Sequence, residues 1–123
     1  MKKTIYILAL ITLVFSSCSS DDNNNLNDGD AQNQCEAPLD LGTRDITTTN
    51  VILGWGGFSS DFFQVEYGLN GFTQGNGTIV NSNDNDLLVN GLSSNTAYDF
   101  YVRRNCGGLE FSDWAGPHTF VTD

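Results

Sequence analysis

From residue 51 onward the apolar side chains fall on every second position. Val51, Leu53 and Trp55 alternate with Ile52 and Gly54, and Phe63, Val65 and Tyr67 alternate with Gln64 and Glu66. Tyr98, Phe100 and Val102 do the same against Asp99, Tyr101 and Arg103. A period of two is what a strand needs to bury one face and wet the other. Shorter apolar runs predict further strands at 78–80, 87–89 and 118–122, the last with Phe120 inward, and a leading strand near 37–41 brings the count to about seven. Turn compositions separate them: Gly56 to Asp61, the glycine-rich Gly68 to Gly77, the polar Asn81 to Asn85, Asn90-Gly91, and a loop from Asn105 to Gly116. No stretch carries a 3.6-residue period with caps. The expectation is an all-β, antiparallel, two-sheet sandwich over residues 35–123.

The first third of the chain follows another pattern. Lys2 and Lys3 precede an eleven-residue apolar run, Ile5 to Phe15. A membrane-spanning helix needs roughly 20 apolar residues, whereas a basic start and a short apolar run fit a secretory signal peptide over residues 1–17. Ser19 to Gln34 has only Leu26 and Ala31 as apolar side chains. Such a segment buries too little to offset its ordering entropy, so it reads as a flexible acidic tether with a reach of about 20–25 Å. An EF-hand reading near Asp28-Gly29 fails because Leu26 stands where an oxygen ligand is needed. Ser16-Ser17-Cys18 resembles the lipobox of bacterial lipoproteins, with Phe15 where that family prefers Leu. The resemblance implies cleavage before Cys18 and acylation of Cys18, with a membrane partner through the lipid anchor; cleavage near Ser17 or Ser19, giving a free secreted domain, is the alternative. Asp21 and Asp22 resemble the acidic export signal of some surface lipoproteins of Gram-negative bacteria, which implies an outer-membrane lipoprotein exposed at the cell surface. A plain acidic spacer, with the protein on the periplasmic side, is the other reading.

Residues 35–123 resemble a fibronectin type III domain. The resemblance rests on Val51-x-Leu53-x-Trp55 with its core tryptophan, on Phe63-x-Val65-x-Tyr67, on Leu92-x-Ser94-x-Thr96-x-Tyr98, and on the closing Thr119-Phe120-Val121-Thr122. The third motif matches the tyrosine corner of the family, with Ser94 where a proline is usual. It implies a seven-stranded immunoglobulin-like Greek-key sandwich in which the Tyr98 hydroxyl bonds to backbone a few residues upstream. With Cys18 acylated, Cys35 and Cys106 are left at one pole of the resembled fold, which implies a disulfide in an oxidising compartment; two buried free thiols are the alternative.

Charge and chemistry narrow the function. Five Lys and Arg stand against fifteen Asp and Glu, a net charge of −10. Phosphates need a basic patch, so a nucleic-acid partner is not expected. Catalysis finds few parts. His118 is the single histidine and is expected to face solvent on the last strand, and one histidine cannot complete a tetrahedral zinc site. The glycines of residues 71–77 have a turn order and not that of a phosphate loop, and Asn81 to Asp86 reads as a polar turn more readily than as a calcium site. No cofactor or metal is implied. Binding has more candidates. Phe58, Leu109 and Phe111 lie on two loops at one pole, either as an interaction patch or as caps on the core. Trp114, in Ser112-Asp113-Trp114-Ala115-Gly116-Pro117, resembles the Trp-Ser repeat of related receptor domains, which implies stacking of Arg103 or Arg104 on the indole. The competing arrangement is an aromatic platform of Trp114, Tyr101 and Phe72 for sugar rings. The expected protein is a non-enzyme: a lipid-anchored envelope module that binds or scaffolds an envelope or extracellular protein. A surface adhesin or glycan-binding accessory is one alternative, and a hydrolase with an unrecognised carboxylate pair is another.

Overall fold

The alternating runs become strands whose apolar positions meet in one core. A computed structural model describes residues 35–58 and 62–123, so the signal-peptide, lipobox and tether readings, with Cys18, lie outside the described residues. The elements are β1 (Leu39–Arg44), β2 (Val51–Gly56), β3 (Phe62–Leu69), β4 (Thr78–Ser82), β5 (Asp86–Val89), β6 (Ala97–Gly107), β7 (Glu110–Phe111) and β8 (Ala115–Val121). They form two antiparallel sheets. One has the order β1-β2-β5; the other runs β4-β3-β6-β7, with β8 also paired to β6. This is the all-β sandwich that the alternation predicts.

The core lies between the sheets. Val51, Leu53 and Trp55 from β2 and Val89 from β5 meet Phe63 and Val65 from β3, Tyr98, Phe100 and Val102 from β6, and Phe120 from β8. The Trp55 and Phe63 rings meet edge to face at 5.3 Å between centroids, a geometry the aromatic quadrupole favours. The corner between β5 and β6 is fastened as the tyrosine motif implies. The Ser93 N–H donates to the Tyr98 hydroxyl at 2.9 Å. Thr122 adds a second tie, donating from its hydroxyl to Ser93 O at 2.6 Å and accepting from the Thr96 N–H at 3.0 Å. Cys35 and Cys106 form a disulfide with a Cα–Cα distance of 5.7 Å.

Several boundaries differ from the pattern-based expectation. The first strand begins at Leu39, not near residue 37. Pro38 is fully buried and has no N–H to give a ladder. Its pairing with β2 then shifts register between Leu39 and Gly42, around Asp40 at φ 52°. The segment expected as a loop from Asn105 to Gly116 is partly strand: β6 runs to Gly107, and β7 folds back on it so that Asn105 faces Phe111. Among the described residues the expected count of about seven strands becomes eight, the extra one being the two-residue β7. His118 does not face solvent. Pairing with Phe100 puts it on the inner side of β8, half-buried, with its ring edge-on to Phe100 at 5.5 Å.

Candidate functional site

Alternation places Phe62, Gln64 and Glu66 of β3 on the face turned away from the core, because Phe63 and Val65 are buried. Across the ladder Phe62 faces Asn105, Gln64 faces Arg103, and Glu66 faces Tyr101. On the other side Gln64 faces Asn81 and Glu66 faces Ile79. Neighbouring strands are about 4.8 Å apart, so these side chains stand in rows within reach of one another. The outer face of the five-stranded sheet therefore carries most of the binding candidates.

Arg103 organises the middle of that face. Its guanidinium lies 3.9 Å from the Phe111 ring centroid and 4.5 Å from that of Trp114. Its Nε and Nη2 donate to Gln64 Oε1 at 3.0 and 2.6 Å, and Gln64 Nε2 donates to Asn81 Oδ1 at 3.3 Å. The stack on Trp114 forms as expected, but with Arg103 and not Arg104. Arg104 is the next residue along the strand and points to the other side, where its guanidinium sits 3.9 Å from the Phe58 ring centroid. Phe58 packs against the core, while Phe111 lies on the outer face. Leu109 is 95% exposed. The three do not form one apolar patch.

The face has a second, drier part. Phe72 meets Tyr101 edge to face at 5.7 Å and 87°, and a Cβ on Gly68 would lie only 2.9 Å from its ring. Phe72 thus folds back over the sheet on a glycine-sized gap. Beneath this loop Glu66 is 1% exposed. Its Oε1 accepts the N–H groups of Gly75 at 2.7 Å and Gly77 at 2.8 Å, while its Oε2 is buried with no partner. Asp99 grips the start of the same loop, accepting from Asn70 Nδ2 and the Gly71 N–H, both at 2.8 Å, and from the Thr119 hydroxyl at 2.5 Å. Burial alone would push the Asp99 carboxyl up, but the bonds from Thr119, Gly71 and Asn70 together hold it below its ordinary value. Phe72 and Tyr101 are committed to this cover, and Trp114 to Arg103, so the three rings do not assemble as one flat platform.

Among the described residues, two open concavities bear on binding. One is a trough of about 500 Å3 on the outer face of the three-stranded sheet, with Gly42, Gly54 and Gly56 as its floor. Of its charged lining residues, Arg44 and Asp86 pair with each other at 2.6 Å, and Asp40 adds a further carboxylate. The other, of about 320 Å3, lies on the outer face of the five-stranded sheet between Phe62 and Phe111 and is lined with carboxamides. Sequence reading missed Phe62, Gln64, Asn81, Asn83 and Asn105 here. The signal was present in the Phe62-Phe63 doublet: once alternation puts Phe63 inward, Phe62 has to stand outside. Among the described residues no three of His, Cys, Asp and Glu gather as metal ligands.

No family model and no curated protein matches the chain. Solved structures do. A structure described as a myokine superposes with a TM-score of 0.61 at 14% identity, covering 72% of this chain and 98% of that one. The FN1-FN3 domains of chicken CNTN1 give 0.61 at 17% identity, over 72% of this chain and 32% of theirs. A computationally redesigned β-sandwich protein gives 0.57 at 21% identity, over 69% and 92%. At such identities the likeness establishes the fold, a fibronectin type III-like sandwich, and function has to be argued from the site.

Proposed function

We propose that the protein is a non-catalytic binding or scaffolding module of the cell envelope, held to the outer membrane through an acylated Cys18 and engaging its partner through the outer face of the five-stranded sheet. The observation that carries this reading is the organisation of that face. Arg103, Gln64 and Asn81 form one hydrogen-bonded chain whose Arg103 end lies against two aromatic rings, and an exposed phenylalanine stands near it. Side chains pre-ordered in this way lose little freedom when a partner arrives. The buried acids favour binding over hydrolysis, because Glu66 and Asp99 both accept backbone N–H groups and hold loop 70–77 in place. The fold itself is a common carrier of binding surfaces.

A photo-crosslinking residue at position 62 tests the face, with one at Leu88 on the opposite sheet as its counterpart. In intact envelopes the first should give a discrete adduct and the second none; equal adducts from both would remove this face from consideration, and none from either would remove an envelope protein as its partner. Labelled palmitate should enter the wild-type chain and not Cys18→Ser, and label retained in the variant would sink the anchor.

A further inference from the structure

We propose that the depression between Phe62 and Phe111 binds a neutral saccharide; this rests on the reading of the outer sheet face as the binding surface and names its ligand class. Its lining is Phe62, Gln64, Asn81, Asn83, Asn105 and Phe111, with the inward-facing Phe63 among them, around about 320 Å3, a size at the lower end for small-molecule sites. The register sets a ring, a carboxamide and a ring side by side, because Phe62 faces Asn105 and Asn105 faces Phe111. Phe62 is 60% exposed, so its ring face is available to a ligand with an apolar C–H surface. Four carboxamides complete the lining. A carboxamide both donates and accepts, as a hydroxyl does, and a row of them suits a row of hydroxyls.

The amides are oriented before any ligand arrives. Arg103 engages the Gln64 carbonyl oxygen, Gln64 in turn donates to Asn81 Oδ1, and Asn81 Nδ2 is left as a donor. The Gly107 N–H engages Asn105 Oδ1 at 2.8 Å, leaving Asn105 Nδ2 as a second donor. The Asn83 side chain makes no hydrogen bond among the described residues and keeps both its functions.

Other ligand classes fit less well. None of the lining residues is charged. An anion would find Arg103 already held against the rings of Phe111 and Trp114 and its fork turned to Gln64. A cation would find no carboxylate in the lining. An apolar peptide would bury the amide donors without partners, which is costly. A sugar ring has one apolar face and a rim of hydroxyls, and it satisfies rings and amides together.

The test is calorimetric titration of the purified full chain with cellohexaose, xylohexaose, mannohexaose and chitohexaose, and with hexagalacturonate as the acidic counterpart. At least one neutral hexaose should bind. Phe62→Ala should weaken it about tenfold with thermal stability unchanged, Asn83→Ala should also weaken it, and Leu88→Ala on the opposite sheet should not. Side-chain amide resonances of Asn81 and Asn105 should shift on binding. Binding of hexagalacturonate alone, neutral binding indifferent to both Phe62→Ala and Asn83→Ala, or no binding by any neutral hexaose would each overturn the saccharide. If no hexaose binds while the crosslinker at position 62 captures an envelope protein, the saccharide falls and the binding face stands. If neither gives a signal, both fall.

Discussion

Gly77→Ala should be a strongly damaging single-methyl addition on the outer face. A Cβ at this position would lie 2.6 Å from Phe72 Cε2, 2.7 Å from the Tyr67 carbonyl oxygen and 2.9 Å from Glu66 Cγ. The Phe72 ring can swing away, but the Tyr67 carbonyl is main chain in β3, held between β4 and β6. Overpacking of this kind costs about 1–3 kcal/mol. Moving residue 77 also stretches the bond from its N–H to Glu66 Oε1, and a hydrogen bond to a charged group is worth about 1.5–3 kcal/mol. The two effects overlap, so about 3 kcal/mol is expected in all. In a sandwich of this size each kcal/mol moves the melting temperature by about 4–8 °C, which gives a fall of more than about 12 °C. Gly42→Ala is the counterpart: a Cβ there meets nothing within 4 Å and its φ is ordinary, so unfolded-state entropy should leave it neutral or slightly stabilising. Thermal and urea unfolding followed by circular dichroism compare the two. If Gly77→Ala melts no lower than Gly42→Ala, the packing of Phe72 over Glu66 is wrong. A double-mutant cycle sharpens the point: Glu66→Gln should cost less in Gly77→Ala than in wild type, because the bond it weakens is already strained.

Two further outcomes follow from the ties of the fold. Replacing Cys35 and Cys106 by alanine opens a loop spanning a sequence separation of 71. The chain-entropy model assigns its closure about 4 kcal/mol, so the melting temperature should fall by more than about 15 °C, and an unchanged one would remove the bridge as a stabiliser. For Asp99 the folded-state pKa lies below the unfolded value of 3.8. The stabilisation it contributes is therefore complete above that value and is lost as pH falls through the lower folded-state value. The stability difference between wild type and Asp99→Asn, from urea titrations at stepped pH, should hold steady at neutral pH and shrink only at acid pH; a difference that grows on acidification would reverse the sign argued here.

What the sequence revealed depended on whether alternation was a sufficient guide. It was for Val51, Leu53 and Trp55, and for Phe63, Val65 and Phe100, since a strand between two layers has only an inside and an outside. Tyr98 was legible because a corner motif specifies one hydroxyl and one backbone partner, and the bond from Ser93 is there. Glu66 was not legible. Alternation sends it outward, as the structure does, but outward here is beneath a folded-back loop, and nothing local to Glu66 says that Phe72 returns over it. His118 failed for a related reason: a polar residue next to Pro117 at a strand start reads as solvent-facing, yet pairing with Phe100 fixes its side of the sheet. The arginines show the same limit. Adjacency in β6 guarantees that Arg103 and Arg104 part to opposite faces, but only the tertiary fold decides that Trp114 waits on one side and Phe58 on the other.

The arginines also bear on the kind of partner this domain tolerates. Residues 35–123 carry three arginines against eleven acids, a net charge of −8. Each arginine has an internal engagement: Arg44 with Asp86, Arg103 with Gln64, Phe111 and Trp114, and Arg104 over Phe58. A phosphate or an anionic surface would have to draw a guanidinium out of its present contacts, and it would approach against the net charge of the chain. That repulsion is screened beyond about 8 Å at physiological ionic strength, so it weighs mainly on groups that come into contact. Contact is where the outer sheet face is uncharged, from Phe62 through Gln64 and Asn81 to Asn105. On the proposed reading, an acidic domain with an uncharged binding face would discriminate against anions by its surroundings and for hydroxyls by its lining. Adding charge to the lining is then the sharpest perturbation of specificity. Asn83→Asp, on an exposed side chain, should leave stability within about 0.5 kcal/mol and yet weaken capture of any ligand carrying a carboxylate or phosphate more than that of a neutral one. A variant that weakens both equally would mean that shape, and not charge, selects the partner.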